Sequence, residues 1–184
     1  NRVTPVEGTT YLFDNWEQNA IVHKILKDKF LVRRVNLNLN KMTFDAKITE
    51  SEDVLSFSFK GVDKVEINNR TFKNILHNKS NRLFEVFYTD DNIKFMKGFE
   101  VKLIKASKDP MVNRPFDKYV KTESYYLMNK KVLSKIKLKK KEIYKTLELS
   151  NEDISKLNTF IKSTSISLKK EQDIIKLLTY LNSI

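Results

Sequence analysis

No cysteine occurs in the 184-residue chain, which excludes disulfides, thiolate nucleophiles and cysteine-ligated zinc or iron–sulfur centres. Glycine and proline are nearly as scarce, at three each. With so little glycine there is no G-x-G-x-x-G and no Walker-type phosphate loop, so nucleotide binding through a glycine-rich turn is disfavoured. Turns fall to Asn, Asp, Ser and Lys, of which Asn best tolerates left-handed backbone. No apolar run approaches the roughly 20 residues that a membrane-spanning helix needs. Arginine is sparse beside lysine, which weakens a nucleic-acid reading, because arginine makes the bidentate contacts to phosphates and bases.

What is present describes a folded, basic, aromatic-rich chain. An apolar fraction of 40% supports a real core. Twelve Phe and seven Tyr against four Met favour pleated sheet. Val35, Leu37 and Leu39 alternate with Asn36, Asn38 and Asn40, the period of a half-buried strand within a longer strand over 29–39. The phase then slips, and Met42, Phe44, Ala46 and Ile48 carry the apolar side, as a turn near Asn40-Lys41 or a bulge would cause. Further strands are expected at 20–26, 55–59 and 62–67. Hairpins are expected across Asp90-Asp91-Asn92 and across Asn129-Lys130, the last with arms at 119–128 and 132–138. No helical pattern lies between the strands, so βαβ units are not expected.

From Lys139 the period becomes helical, through Ile143, Tyr144 and Leu147. Ser150 to Asp153 resembles a capping box, and Ile154, Leu157, Phe160 and Ile161 follow. Ser167 is a candidate N-cap for a final helix bearing Ile174, Ile175, Leu177, Leu178 and Leu181. The fold class expected is α+β: an antiparallel β meander (curved sheet, sandwich or partial barrel) over 1–138, then two or three short amphipathic helices over 139–184. Those helices, too short to stand alone, must pack on the sheet or on a partner.

Several segments together carry a resemblance. They are Tyr11-Leu12-Phe13-Asp14-Asn15-Trp16, Glu123-Ser124-Tyr125-Tyr126-Leu127, Lys137-Leu138-Lys139-Lys140-Lys141, Leu168-Lys169-Lys170-Glu171-Gln172-Asp173 and the ending Tyr180-Leu181-Asn182-Ser183-Ile184. The chain resembles a family of uncharacterised exported proteins of Bacteroidota, which have a signal peptide, a β-rich body and a lysine-rich helical tail. The resemblance implies a periplasmic or envelope location with the signal peptide removed; it brings no activity. The first residue, Asn1, fits either a removed signal peptide or a shortened chain.

Candidate chemistry is thin. His23 and His77 are the only histidines, without the spacing of a triad or zinc site, and read as structural or surface residues. Asp90-Asp91 is the densest carboxylate pair, but a turn favours Asp for its own hydrogen bonds; Asp45, Glu50, Glu52 and Asp53 read similarly. No calcium loop is present, and no metal or cofactor is expected. Tyr11, Phe13 and Trp16 read as a core plug that anchors the N-terminal segment, with a sugar-stacking platform or protein-binding edge as the alternative. The densest charge is Lys130, Lys131, Lys135, Lys137, Lys139, Lys140 and Lys141, followed by Lys145. On the last strand, Lys135, Lys137 and Lys139 share one face, opposite Ile136 and Leu138, and form a stripe. That stripe suits an anionic partner; the plainer reading is a solvated face that blunts an edge strand.

The sequence therefore points to a non-enzymatic accessory or binding protein of the bacterial cell envelope. It would attach to a protein partner or anionic envelope surface and would not be transmembrane. The rivals are a carboxylate hydrolase acting on an envelope polymer and a basic nucleic-acid-binding protein.

Overall fold

Two-residue turns set much of the fold. A computed structural model describes residues 5–49, 53–107, 109, 111–112 and 114–184. Among them the strands are β1 (Val6–Glu7), β2 (Ala20–Lys24), β3 (Lys29–Val32), β4 (Val35–Asn38), β5 (Thr43–Lys47), β6 (Val54–Ser58), β7 (Val62–Ile67), β8 (Arg70–His77), β9 (Ser80–Thr89), β10 (Ile93–Ile104), β11 (Asp117–Asn129) and β12 (Val132–Ile136). The helices are α1 (Lys140–Leu147), α2 (Asn151–Thr164) and α3 (Glu171–Leu181). Asn68-Asn69, Asn78-Lys79 and Lys130-Lys131 link consecutive strands, and all six residues have positive φ. Two consecutive left-handed residues match the twist of a hairpin, and here Asn and Lys take positions that glycine usually fills. At the β9–β10 turn, Asp90 Oδ1 accepts from the Asn92 and Ile93 amides at 2.8 and 2.7 Å.

One sheet has nine strands in the order β1-β11-β10-β9-β8-β7-β2-β3, with β12 also on β11; the other has three, β4-β5-β6. Pairing is mostly antiparallel and neither sheet closes; β1 runs parallel to β11. The class is the expected α+β, with three C-terminal helices. The phase slip after Leu39 is a hairpin turn: Leu37 faces Phe44 and Val35 faces Ala46 across β4–β5, with Met42 at positive φ.

Three local expectations are corrected. The strand over 29–39 is two strands in different sheets, broken where Arg34 adopts φ 53°. Asn36 and Asn38, expected on a solvated face, are 1% and 3% exposed. His77 ends β8, and Asn78-Lys79 turn the chain into β9. Ser167 does not cap α3; Lys170 holds that position, and the Ser167 amide instead donates to Asp173 Oδ2 at 3.0 Å. Asp173 is held below its usual value, first by that amide and then by Lys176.

The chain divides into two compact units, Asn1–Phe84 with Phe99–Glu123, and Glu85–Gly98 with Ser124–Ile184. The division runs through β9, β10 and β11, and the helical segment from residue 139 belongs to the second unit with residues 85–98 and 124–138. The first unit's core gathers Val35, Leu37, Phe44, Val65, Ile67, Phe72, Leu83 and Phe99. The second gathers Phe95, Leu127, Ile136, Ile143, Leu147, Leu157, Ile174, Leu177 and Leu178, so the helical stripes bury themselves on one another and on the local strands. Lys97 and Tyr125 also hold Glu171, at 2.6 and 2.7 Å, at the start of α3, where a carboxylate suits the helix dipole.

The capping box at α2 is complete. Ser150 Oγ accepts from the Asp153 amide at 3.1 Å, and Asp153 Oδ2 accepts from the Ser150 amide at 3.3 Å. Ser150→Ala is expected to destabilise by about 1 kcal/mol, measured by urea unfolding, with Ser150→Asp close to wild type. An equal loss in both variants would show that the cap contributes nothing.

Candidate binding surface

The lysine cluster is built by the β11–β12 hairpin and the entry to α1. Lys130 and Lys131 are the hairpin turn, at φ 47° and 71°. Lys135 lies exposed on β12. β12 ends at Ile136, which corrects the expected three-lysine strand stripe: Lys137 and Lys139 lie in the connection, not on the strand. The physical reason is a local cap. The Lys137 amide donates to Glu142 Oε2 at 2.7 Å and the Lys139 amide to the Lys137 carbonyl at 2.7 Å, which turns the chain into α1. Lys139 is the N-cap residue and makes no side-chain cap bond. Lys140 and Lys141 follow in the first turn, with Lys140 Nζ 5.6 Å from the centre of the Tyr144 ring.

The result is a corner rather than a stripe. Residues 130–148 hold eight lysines and two glutamates, which is +6 of the chain's +12. All eight lysines are exposed. Lys130 pairs with Glu148 at 3.5 Å; no carboxylate of the described residues reaches within pairing distance of the other seven. A groove of about 490 Å³ opens here, lined by Lys130, Lys135 and Lys145 with Asn129, Glu142 and Glu148. Both glutamates are already held, Glu142 by the Lys137 amide and Glu148 by Lys130.

Helix α1 makes this corner unusual. The exposed amides of its first turn give that end a partial positive charge, so cations there are unfavourable by a few tenths of a kcal/mol each. Lys139, Lys140 and Lys141 all crowd it, with Glu142 the one acid in the first turn. Such an arrangement is stabilised by an incoming anion.

The aromatic segment has a different role. Its backbone runs along β4: the Leu39 amide donates to Thr10, Leu12 to Leu37 and Val35 to Gln18, at 2.9, 2.9 and 2.8 Å. Asn36 Oδ1 accepts from the Phe13 amide at 3.0 Å, and Asn36 Nδ2 donates to the Phe13 and Asn15 carbonyls at 2.8 and 3.1 Å. Tyr11 Oη, Asn38 Nδ2 and Thr43 Oγ1 converge on buried Asp45, at 2.9, 3.2 and 2.6 Å. Phe13 meets Phe72 edge-on at 6.2 Å and packs on the first core. Trp16 lies against Tyr11 at 4.7 Å, with Lys47 5.2 Å from its ring. Tyr11, Phe13 and Trp16 are therefore fastened down as a cover over β4 and β5. The asparagines at 36 and 38 escaped notice because alternation alone assigns them to water; their repeat opposite an aromatic, turn-rich segment was the available signal.

His23 Nε2 lies 2.7 Å from Glu66, which also meets Lys64 at 2.5 Å; Lys64 foremost holds the Glu66 carboxyl below its usual range. Asp90 belongs to its turn, where it also accepts from Tyr88 at 2.8 Å. Glu50 and Glu52 lie outside the described residues, and Asp53 is exposed. Among the described residues no three His, Asp or Glu side chains cluster as metal ligands, and no helix is long and apolar enough to cross a membrane. Comparison with family models, with curated proteins and with solved structures finds no match.

Proposed function

We propose that the protein is a non-enzymatic attachment protein of the bacterial cell envelope that binds an anionic partner or surface through its lysine-rich corner. The observation that carries this reading is the crowding of Lys139, Lys140 and Lys141 at the start of α1, an arrangement that costs stability in the free chain and is relieved by a bound anion. The envelope location rests on the resemblance to exported β-rich proteins with lysine-rich helical tails. A nucleic-acid reading calls for aromatics interleaved with the lysines. Those beside the lysines are buried or packed inward: Tyr144, under Lys140, is 8% exposed and Tyr126 3%, and Tyr125 stacks on Phe95 with centroids 5.8 Å apart.

Each lysine near an anionic lipid surface contributes about 1 kcal/mol. The triple variant Lys135→Glu/Lys139→Glu/Lys141→Glu is therefore expected to lower partitioning onto vesicles containing anionic lipid by on the order of 100-fold or more at low salt. Wild-type binding is expected to weaken steeply as salt rises. Co-sedimentation with the vesicles and with lipopolysaccharide measures both. Equal partitioning of wild type and variant on both surfaces would remove this reading.

A further inference from the structure

Unit one leaves two strand edges open around an apolar groove. β3 ends the nine-stranded sheet and β6 ends the three-stranded one, and both line a groove of about 610 Å³ with Phe30, Leu31, Phe44 and Phe57 along it. The contrast with β4 is informative. That edge carries three backbone bonds to the segment over residues 10–18, whereas among the described residues β3 pairs with β2 alone.

The hydrogen-bond parity of β3 follows from its hairpin. The Lys24 amide donates to the Asp28 carbonyl at 2.9 Å, so Lys24/Asp28 is a hydrogen-bonded pair. Alternation then makes Val22/Phe30 and Ala20/Val32 hydrogen-bonded pairs as well. Lys29 and Leu31 consequently send their N–H and C=O groups away from β2. Leu31 is 63% exposed and Phe30 is 47% exposed. An open edge with apolar side chains is the geometry that accepts an added strand.

We infer that β3 receives an extended segment of an acidic partner polypeptide, which adds a strand beside β3 and lays alternate apolar side chains along the Phe30–Phe57 groove. Charge selects this occupant. Among the described residues Lys24 and Lys60 line the groove and no Asp or Glu does; nearby Asp63 is taken by Lys73 at 2.8 Å. A second copy of this chain would bring another net charge of +12 and is disfavoured. The inference uses no residue of the lysine-rich corner and stands or falls separately from the attachment reading.

The probe is an end-blocked eight-residue peptide alternating Val and Glu, titrated into the intact protein at low salt by calorimetry and by amide exchange. Binding is expected, with the Lys29 and Leu31 amides newly protected and the Phe30 and Val32 amides unchanged. Methylating alternate peptide nitrogens is expected to weaken binding at least about tenfold, the loss of a net hydrogen bond or more. Leu31→Pro removes an amide that β2 does not use and is expected to weaken binding similarly. Lys24→Glu/Lys60→Glu leaves the strand backbone intact, is expected to do the same, and serves where Leu31→Pro fails to fold. Four results would overturn the inference: no binding of the Val/Glu peptide, equal binding of its methylated form, equal binding of a Val/Lys peptide, or protection of the same amides by concentration-dependent self-association alone.

Discussion

Asp45→Ala is expected to lower the stability of the fold by about 3 kcal/mol, because it strips three donors of their acceptor at once. Each buried donor left unsatisfied costs about 1–3 kcal/mol. Asp45 is fully buried, and Tyr11, Asn38 and Thr43 all donate to it. Tyr11 and Thr43 are half-buried and regain some water, which keeps the sum near the lower end. Asp45→Asn is expected to cost roughly half as much, since hydroxyls rotate to accept from an amide while the Asn38 amide cannot. Urea unfolding measures both values. Tyr11 supplies a second readout. Burial first, and then the bond to Asp45, push its hydroxyl up from 10.0 to about 12. A raised folded-state value means that this group's contribution is complete below about pH 10 and is lost as pH rises toward about 12. In Asp45→Asn the tyrosine titration is expected to move down, keeping the part that burial causes. A loss under about 0.5 kcal/mol in Asp45→Ala, the range of an ordinary surface change, would show that this network does not hold the aromatic segment.

This network also marks where the sequence stopped being legible. Some turns were readable: the one near Asn40-Lys41 from its phase slip and the β9–β10 turn from Asp90, whereas the Asn68-Asn69 turn and β8 beyond it were not expected, and the last hairpin turns at Lys130-Lys131 rather than Asn129-Lys130. The helices were readable from their apolar spacing and from the Ser150–Asp153 box, since both signals act within a few residues. The burial of Asn36 and Asn38 was not, because the cover over them comes from residues about 20 positions upstream. Nothing local in Arg33-Arg34 reveals that one apolar run is shared between two sheets. The lysine stripe failed for a related reason: the alternation of Lys135, Lys137 and Lys139 continues on paper, but Glu142 captures the Lys137 amide and bends the chain after Ile136. What survived of that candidate is its charge, which depends on composition, rather than its geometry, which depends on one hydrogen bond.

Phe72→Ala is expected to be the most damaging single truncation in the first unit, at about 4 kcal/mol, the usual range for removing a buried Phe and leaving a cavity. Phe72 is 0% exposed, with Phe13 edge-on at 6.2 Å, Phe99 at 6.4 Å and the Arg70 guanidinium 5.1 Å from its ring. Phe13 is only half-buried, so Phe13→Ala is expected to cost less, about 2 kcal/mol. The pair tests the role of the aromatic segment directly. If Phe13 is a plug, the double variant should lose less than the two single losses added together, by about 1 kcal/mol, because part of each loss is the same ring-to-ring contact. A sugar-stacking platform predicts the opposite pattern: Phe13→Ala would leave stability untouched and Phe72→Ala would lose its full amount whether or not Phe13 were present. Additive losses with a negligible cost for Phe13→Ala would therefore free Tyr11, Phe13 and Trp16 for a binding role that their contacts to Asp45, Phe72 and Lys47 otherwise deny them.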